Sequence, residues 1–284
     1  MRQTALGMRS VFHVWSGLEV IDSHMRPQPL MKLNGCLDYK NTKIMRTLTV
    51  LTYNILFGKA VSLLPELCST YKPDVVCLQE FEISVDAIAE VEKQGYYLAD
   101  YSHSFFKYFR LYGLATFYNK KTLKPKDGEV ITLSRSFYEM ILFFFPRVNK
   151  QRTVLKTTFI HSESYSEFDV YNLHLTFHGT NQTRRKQLAC TMRAIKEAAK
   201  ERIIVAGDFN YPYHRKSLEK VITDNGLKEA TSNLFYTVES KILGLFRIRL
   251  KSDYILYRGF THLETIRDGN RSSDHFPLIA RFSW

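Results

Sequence analysis

Short apolar runs that each stop at a polar residue are the feature that most constrains how this chain can fold. Residues 48–53, 74–79 and 203–206 are rich in residues that favour β-strands, and their length suits strands better than helices. In residues 188–199, apolar side chains instead recur at intervals of three and four, the spacing of one helix face. The chain therefore alternates strands with amphipathic helices, which predicts an α/β protein.

Strands outnumber helices in this pattern. Residues 153–160 and 168–175 resemble two strands joined by a polar turn, with no helix between them. Adjacent strands without a helical crossover favour mixed sheets with the helices packed outside. We therefore predict a layered α/β sandwich.

The first 45 residues differ from the rest of the chain. They hold scattered Pro, Gly and His and show no sustained hydrophobic period. Met45 lies just before the first strong strand and is a candidate translation start. We treat residues 1–45 as an N-terminal extension whose composition is compatible with disorder, and residues 46–284 as one domain.

Charge and cysteine usage narrow the class of protein. The net charge of +12 favours polyanionic partners, either nucleic acid or an anionic membrane surface. The four cysteines form no CxxC pair and have no His at zinc-finger spacing, so we expect a reduced, cytoplasmic protein without a zinc finger. The most apolar segment, residues 140–145, is far too short to span a membrane.

Polar residues follow the strands, where layered folds place ligand sites. Taken singly, Asn54 suits a turn, Glu80 the start of a helix and Asp208 a helix cap. As a group they are harder to explain, because clustered carboxylates repel one another unless a cation lies among them. Oxygen donors without cysteine suit Mg²⁺ or Mn²⁺. The residues concerned are Asn54, Glu80, His174, Asp208, Asn210, Asp274 and His275.

Six short motifs contain these residues. In chain order they are TYNI (52–55), PDVVCLQE (73–80), NLHL (172–175), GDFN (207–210), SDYI (252–255) and SDHFP (273–277). The ordered set resembles the endonuclease/exonuclease/phosphatase family, although one motif alone would be weak evidence. The resemblance implies the DNase I-like fold, a four-layer α/β/β/α sandwich with two mixed, mainly antiparallel sheets.

The resemblance implies metal binding for three of these residues. Glu80 resembles the principal metal ligand, Asn54 lies beside it, and Asp274 resembles a further carboxylate on the metal side. The implied cofactor is Mg²⁺, with Mn²⁺ as the alternative. Such a cation offsets the charge of a phosphoryl group while water attacks in line.

The resemblance also implies catalytic roles. Asp208 and Asn210 resemble the pair that positions the attacking water and a phosphate oxygen, and His174 resembles a donor to the phosphate. His275 and Asp253 resemble a His–Asp dyad, in which the carboxylate orients the imidazole and favours its charged form. Whether Asp208 or the metal activates the water stays open at this point.

Two kinds of region bear on the substrate. The run Arg184-Arg185-Lys186 begins the helix after residues 168–175, where free amides and three cations would attract a phosphate. A solvated basic turn explains the run equally well. Aromatic and basic residues are interleaved in 105–110 and 243–249, a composition that can stack bases or enter a membrane interface.

The substrate stays open within the family. The chain departs from the base-excision endonuclease branch at residues 53–55 and 79–81, lacks the disulfide pattern of secreted DNase I, and matches inositol polyphosphate phosphatases poorly. Because of the net charge, we expect hydrolysis of phosphodiester bonds in nucleic acid. The alternatives are a phospholipid or sphingomyelinase-like phosphodiesterase, a small-molecule phosphatase and an inactive binding module. No obligate protein partner is evident.

Overall fold

The computed structural model describes residues 46–107, 109–134, 152–177, 179–242 and 246–284. The predicted extension, residues 1–45, and the apolar segment 140–145 lie outside the described residues. Within the described part of the chain, no helix is both long and apolar enough to cross a membrane.

Two six-stranded sheets form the centre of the domain. The first contains β1 (Thr47–Asn54), β2 (Val75–Glu82), β3 (Tyr96–Lys107), β4 (Arg110–Asn119), β13 (Thr261–Arg267) and β14 (Leu278–Ser283). Its spatial order is β13-β14-β1-β2-β4-β3. β1 and β2 are parallel, and the other neighbours pair antiparallel.

The second sheet has the same number of strands. It contains β5 (Leu123–Thr132), β6 (Thr153–His161), β7 (Glu167–His174), β8 (Ile203–Asp208), β9 (Lys228–Glu229) and β12 (Asp253–Arg258). Its order is β5-β6-β7-β8-β12-β9, with β7 and β8 parallel. A separate antiparallel hairpin is formed by β10 (Val238–Ile242) and β11 (Phe246–Leu250).

Helices cover the outer faces of the sheets. Among the described residues they are a 3₁₀ turn (Val61–Leu63), α1 (Leu64–Tyr71), α2 (Val85–Glu92), α3 (Asn181–Ala198) and α4 (Arg215–Asp224). Two of them begin at hydroxyl caps: Ser84 accepts from the N–H of Ala87, and Thr180 accepts from that of Thr183.

Three buried cores separate the four layers. α1 and α2 pack on the first sheet, α3 and α4 pack on the second, and a third core lies between the sheets. Strand alternation sorts the side chains: Ile203 and Val205 of β8 belong to the helix side, whereas Ile204 and Ala206 belong to the core between the sheets. Each buried branched side chain contributes about 1.5–3 kcal/mol.

The predicted α/β/β/α sandwich is therefore confirmed. The sequence pattern did not reveal β3, β5 or the β10–β11 hairpin. β5 shows why, because it is an edge strand whose residues are almost all exposed. Without a buried face, a strand carries no apolar alternation that a sequence pattern can detect.

Candidate active site

Most of the predicted residues lie at strand ends, which meet at one end of the two sheets. Asp274 and His275 do not follow a strand as predicted, because they lie between β13 and β14, ahead of Leu278. The parallel register of β7 and β8 pairs His174 directly with Asp208. β12 starts at the same level, since its first residue, Asp253, pairs with Asp208 across the antiparallel ladder. Gly207 allows this close approach: its φ is +140°, and a Cβ there would lie 2.0 Å from the carbonyl oxygen of Leu173.

Glu80 enters the site through an irregularity in β2. The pairing of β2 with β4 shifts register between Leu78 and Phe81, and Glu80 has a φ of +55°. A left-handed backbone at a non-glycine residue costs about 1–3 kcal/mol, and such strain collects at functional sites. Glu80 Oε1 lies 4.0 Å from His174 Nε2. The bulge thus brings this carboxylate to the residues at the strand ends.

The buried carboxylate of Asp208 lies at the centre of the hydrogen bonds in the site. Its Oδ1 accepts hydrogen bonds from the Asn210 N–H at 2.9 Å and from Ser252 Oγ at 3.0 Å. Its Oδ2 accepts from Asn210 Nδ2 at 3.0 Å and from Asn54 Nδ2 at 3.3 Å. His174 Nε2 lies 3.4 Å from the same Oδ2. Four donors therefore fix the orientation of one acid.

Burial also changes the acidity of Asp208. It raises the pKa of this carboxyl to about 6, although the neighbouring charge of His275 lowers it. A carboxylate whose pKa lies near neutrality is a suitable proton acceptor at physiological pH.

His275 and Asp253 form a buried pair beside Asp208. His275 Nδ1 lies 2.9 Å from Asp253 Oδ2. Burial disfavours the imidazolium, but the carboxylates of Asp253 and Asp208 outweigh this effect and raise the pKa of His275 to about 10. The imidazole is therefore charged at neutral pH. Its Nε2 lies 3.8 Å from Asp208 Oδ2 and is the nitrogen left for a ligand.

Two hydroxyl groups to which the sequence patterns gave no role hold this arrangement. Thr237 is fully buried, and its Oγ1 accepts from the backbone N–H groups of Ser252 and Asp253 at 3.0 and 2.9 Å. Ser273 Oγ donates to the carbonyl oxygen of Asn54 at 2.8 Å. Ser273 belongs to the SDHFP motif, which could have pointed to it, whereas Thr237 lies in no motif and follows no spacing rule.

A cavity of about 540 Å³ lies at these strand ends. Among its lining residues are Asn54, Glu80, His174, Arg184, Asp208, Asn210, Asp274 and His275. Asp253 is not among the described lining residues and holds His275 by Nδ1 instead. Arg185 and Lys186 are exposed on α3 and do not line it. The structure therefore brings together most of the predicted site and leaves two of the three basic residues outside.

The described lining of the cavity includes two arginines. Arg184 donates from Nε to the carbonyl oxygen of Thr176 at 2.9 Å and from Nη2 to that of Phe177 at 2.8 Å, so it holds the loop after β7. Arg152, just before β6, is only 2% exposed. Arg152 was not among the predicted residues, because one arginine ahead of a strand forms no pattern. Both guanidinium groups favour an anionic ligand.

The donor set of the cavity fits a hard divalent cation. Ligand atoms of Asp208, Asp253 and His275 lie within 4.8 Å of one another. We favour Glu80, Asp274 and the amide oxygen of Asn54 as ligands, because all three residues line the cavity. Asp253 and His275 are less suitable, because they are already hydrogen-bonded to each other. The described lining contains no cysteine. Such oxygen donors suit Mg²⁺ or Mn²⁺.

The same residues fall within a family match. A sequence profile described as the Endonuclease/Exonuclease/phosphatase family matches residues 51–275, which include every predicted catalytic and metal-binding residue. The chain belongs to this family. The predicted family is thereby confirmed. A search of curated protein sequences finds no match.

Solved structures of family members share the fold. The human Nocturnin catalytic domain, determined with bound sulfate, has 19% identity and a TM-score of 0.65, over 84% of this chain and 97% of that one. The 2′,3′-cyclic phosphatase ANGEL2, in complex with adenosine-2′,3′-vanadate, has 15% identity and a TM-score of 0.66, over 84% and 96%. A mannosyl-6-phosphatase from Bacteroides thetaiotaomicron has 16% identity and a TM-score of 0.63, over 84% and 100%. At these identities the likeness shows the fold alone.

Proposed function

We propose that this family member is a divalent-metal-dependent hydrolase of phosphodiester bonds, with nucleic acid as its substrate. The observation that carries the proposal is the surroundings of Asp208 Oδ2, which lies 3.4 Å from His174 Nε2 and 3.8 Å from His275 Nε2 in one cavity. A proton acceptor beside two imidazole nitrogens suits the attack of water on phosphorus.

Each of these groups has a role in the proposal. Asp208 Oδ2 accepts a proton from the attacking water, and its pKa of about 6 leaves it ionised at neutral pH. Asn54 and Asn210 hold that carboxylate in orientation. His275 is charged and donates from Nε2 to a phosphoryl oxygen as negative charge develops, with His174 as a second donor.

A divalent cation is the remaining part of the proposed site. Glu80, Asn54 and Asp274 would hold it at the wall of the cavity. When bound, it offsets the charge of the phosphoryl group.

The substrate class rests on charge. The chain carries a net charge of +12, and Arg152 and Arg184 line the cavity itself. Both features favour a polyanion. The fold does not decide the question, since neighbours on it include a 2′,3′-cyclic phosphatase and a mannosyl-6-phosphatase.

One feature favours a phospholipid diester as a second candidate substrate. The turn between β3 and β4 presents Phe109, which is 91% exposed, next to the ring of Phe106 at 6.3 Å. Lys107 Nζ lies 3.6 Å over the ring of Phe57, which lines the cavity. Aromatic and basic residues together suit a membrane interface.

A substrate panel with Mg²⁺ and with EDTA tests the proposal. It contains single- and double-stranded DNA, RNA, sphingomyelin vesicles, an inositol phosphate and bis(p-nitrophenyl) phosphate. We expect nucleic acid and the nitrophenyl diester to be hydrolysed, with activity lost in EDTA and restored by Mg²⁺. Nucleic-acid binding should weaken steeply with salt. Metal-independent hydrolysis would refute the proposed chemistry, and faster cleavage of sphingomyelin would move the second candidate ahead.

A further inference from the structure

The β10–β11 hairpin has two chemically different faces. The register pairs Val238 with Leu250 and Ser240 with Ile248, and these four residues line the cavity. The opposite face carries charges: Glu239 pairs with Arg249 at 2.8 Å, and its other partners are Arg247 and Arg271. Among the described hairpin residues that line the cavity, Ser240 is the polar one. The hairpin therefore offers the cavity a largely apolar wall.

Two exposed aromatic side chains line the same cavity. Phe177 is 64% exposed and Tyr213 is 63% exposed. They belong to different loops, which a chain of hydrogen bonds connects. Arg184 Nη2 donates to the Phe177 carbonyl oxygen at 2.8 Å, Arg184 Nη1 donates to Asn181 Oδ1 at 2.8 Å, and Asn181 Nδ2 donates to the Tyr213 carbonyl oxygen at 3.0 Å. The tether holds both rings at the cavity instead of leaving them on independent loops.

Apolar groups beside a polar catalytic centre indicate what part of a substrate they contact. Exposed aromatic rings lose unfavourable hydration when a flat apolar group covers them. A sugar in this position would need several hydrogen-bonding partners, and the hairpin wall offers few. A volume of about 540 Å³ lies within the range of about 300–1,000 Å³ that is typical of sites for single small molecules.

We infer that Phe177, Tyr213 and the apolar face of the hairpin form a nucleobase subsite next to the scissile phosphate. This inference rests on the proposed function, since it assumes that a phosphate binds near Asp208 and His275. It deepens that proposal, because it makes a single nucleoside unit, held by stacking of its base, the part of the substrate that the enzyme selects.

A pair of ligands that differ only by the base tests the subsite. Adenosine 5′-monophosphate and ribose 5-phosphate are titrated calorimetrically, with Mg²⁺, into the full-length protein. We expect the nucleotide to bind at least about tenfold more tightly than ribose 5-phosphate, because stacking on aromatic residues dominates such sites. Taking the ratio of the two dissociation constants cancels the contribution of the ribose phosphate, which both ligands share.

Variants of the two exposed aromatic residues at the cavity, Phe177 and Tyr213, provide the decisive comparison. We define the base preference as the dissociation constant of ribose 5-phosphate divided by that of the nucleotide. Tyr213→Ala and Phe177→Ala should each reduce this ratio about tenfold. Phe235→Ala is the matched control, because Phe235 is 95% exposed but does not line the cavity, and the ratio should stay within about twofold there. Circular dichroism establishes that each variant is folded.

The outcomes separate this inference from the proposed function. The subsite is overturned if the two ligands bind equally or if neither binds. It is also overturned if the ratio of the two dissociation constants is unchanged in the Phe177 and Tyr213 variants. Tighter binding of octyl phosphate than of the nucleotide also overturns it and assigns the wall to an acyl chain. If a base preference is found but no phosphodiester is hydrolysed with Mg²⁺, the subsite stands and the proposed function fails.

Discussion

The floor and the rim of the cavity are built in different ways. The floor consists of strand ends and of the segment before β14, where four hydrogen bonds hold buried Asp208 and Asp253 holds His275. The rim consists of loops and a two-stranded hairpin, where Phe177 and Tyr213 are mostly exposed. The reacting groups are therefore held mainly by buried hydrogen bonds at the sheets, whereas Phe177 and Tyr213 lie on loops that can vary more freely. The hairpin is tied to the floor, because the Glu239 N–H donates to the carbonyl oxygen of Asp274 at 2.8 Å and Val238 bridges to His275.

The largest effect should come from the centre of the floor. We expect Asp208→Ala to lower kcat on bis(p-nitrophenyl) phosphate by about 10³-fold, because it removes the proton acceptor. The far-ultraviolet circular dichroism spectrum should stay native, since Asp208 is the last residue of β8 and its side chain lines the cavity, outside the hydrophobic cores. Near-normal turnover in this variant would falsify the assignment of Asp208.

The second effect concerns pH. Asp253→Asn removes a charge that raises the pKa of His275, so that pKa should fall from about 10 and the alkaline limb of the kcat–pH profile should move to lower pH. We expect kcat at pH 7 to drop about 100-fold, since the donor loses its orientation and part of its charge. An alkaline limb at its original pH would show that His275 does not control it.

The same raised pKa predicts a trend in stability. Because the folded-state pKa of about 10 exceeds the ordinary 6.5, this contribution is fully present below pH 6.5 and is lost as the pH rises towards 10. In metal-free protein, the wild type should therefore lose more of its Tm over this interval than Asp253→Asn does. Parallel curves for the two proteins would contradict this expectation.

A smaller effect should follow from the buried support of the floor. Thr237→Val removes the oxygen that accepts two N–H groups at the start of β12, while keeping the shape of the side chain. We expect kcat to fall about tenfold, with the alkaline limb shifted, whereas Thr237→Ser restores both because it retains the acceptor. If the serine variant is as impaired as the valine variant, packing and not hydrogen bonding explains the role.

The smallest effect should appear at the rim. Arg184→Lys retains the charge but breaks the fork that tethers the loops of Phe177 and Tyr213. We expect KM for a dinucleotide to rise about three- to fivefold with kcat little changed. Steady-state kinetics separate the two parameters, and Arg185→Lys, on an exposed residue outside the cavity, is the control. A change in kcat without a change in KM would place Arg184 with the floor.

Much of the architecture could be predicted because burial leaves a pattern in the sequence. β8 and α3 were visible from their apolar runs and periods, since each packs a regular face into a core. β5 left no such pattern, because its residues are mostly exposed at a sheet edge. The rim hairpin was hidden for a related reason: its apolar face borders a cavity instead of a core.

The order of residues in the chain marked Asn54, His174 and Asp208 as polar residues at the ends of apolar runs, because a buried amide, imidazole or carboxylate needs a partner. These three could therefore be singled out without coordinates, whereas the prediction that Asp274 and His275 follow a strand was wrong, because both lie between β13 and β14. Only the tertiary structure decided how they meet, since strand register and the bulge at Glu80 depend on pairing between distant segments. Arg152 and Thr237 became visible in the same way, because their importance comes from the cavity and the backbone groups that surround them, not from their neighbours in the chain.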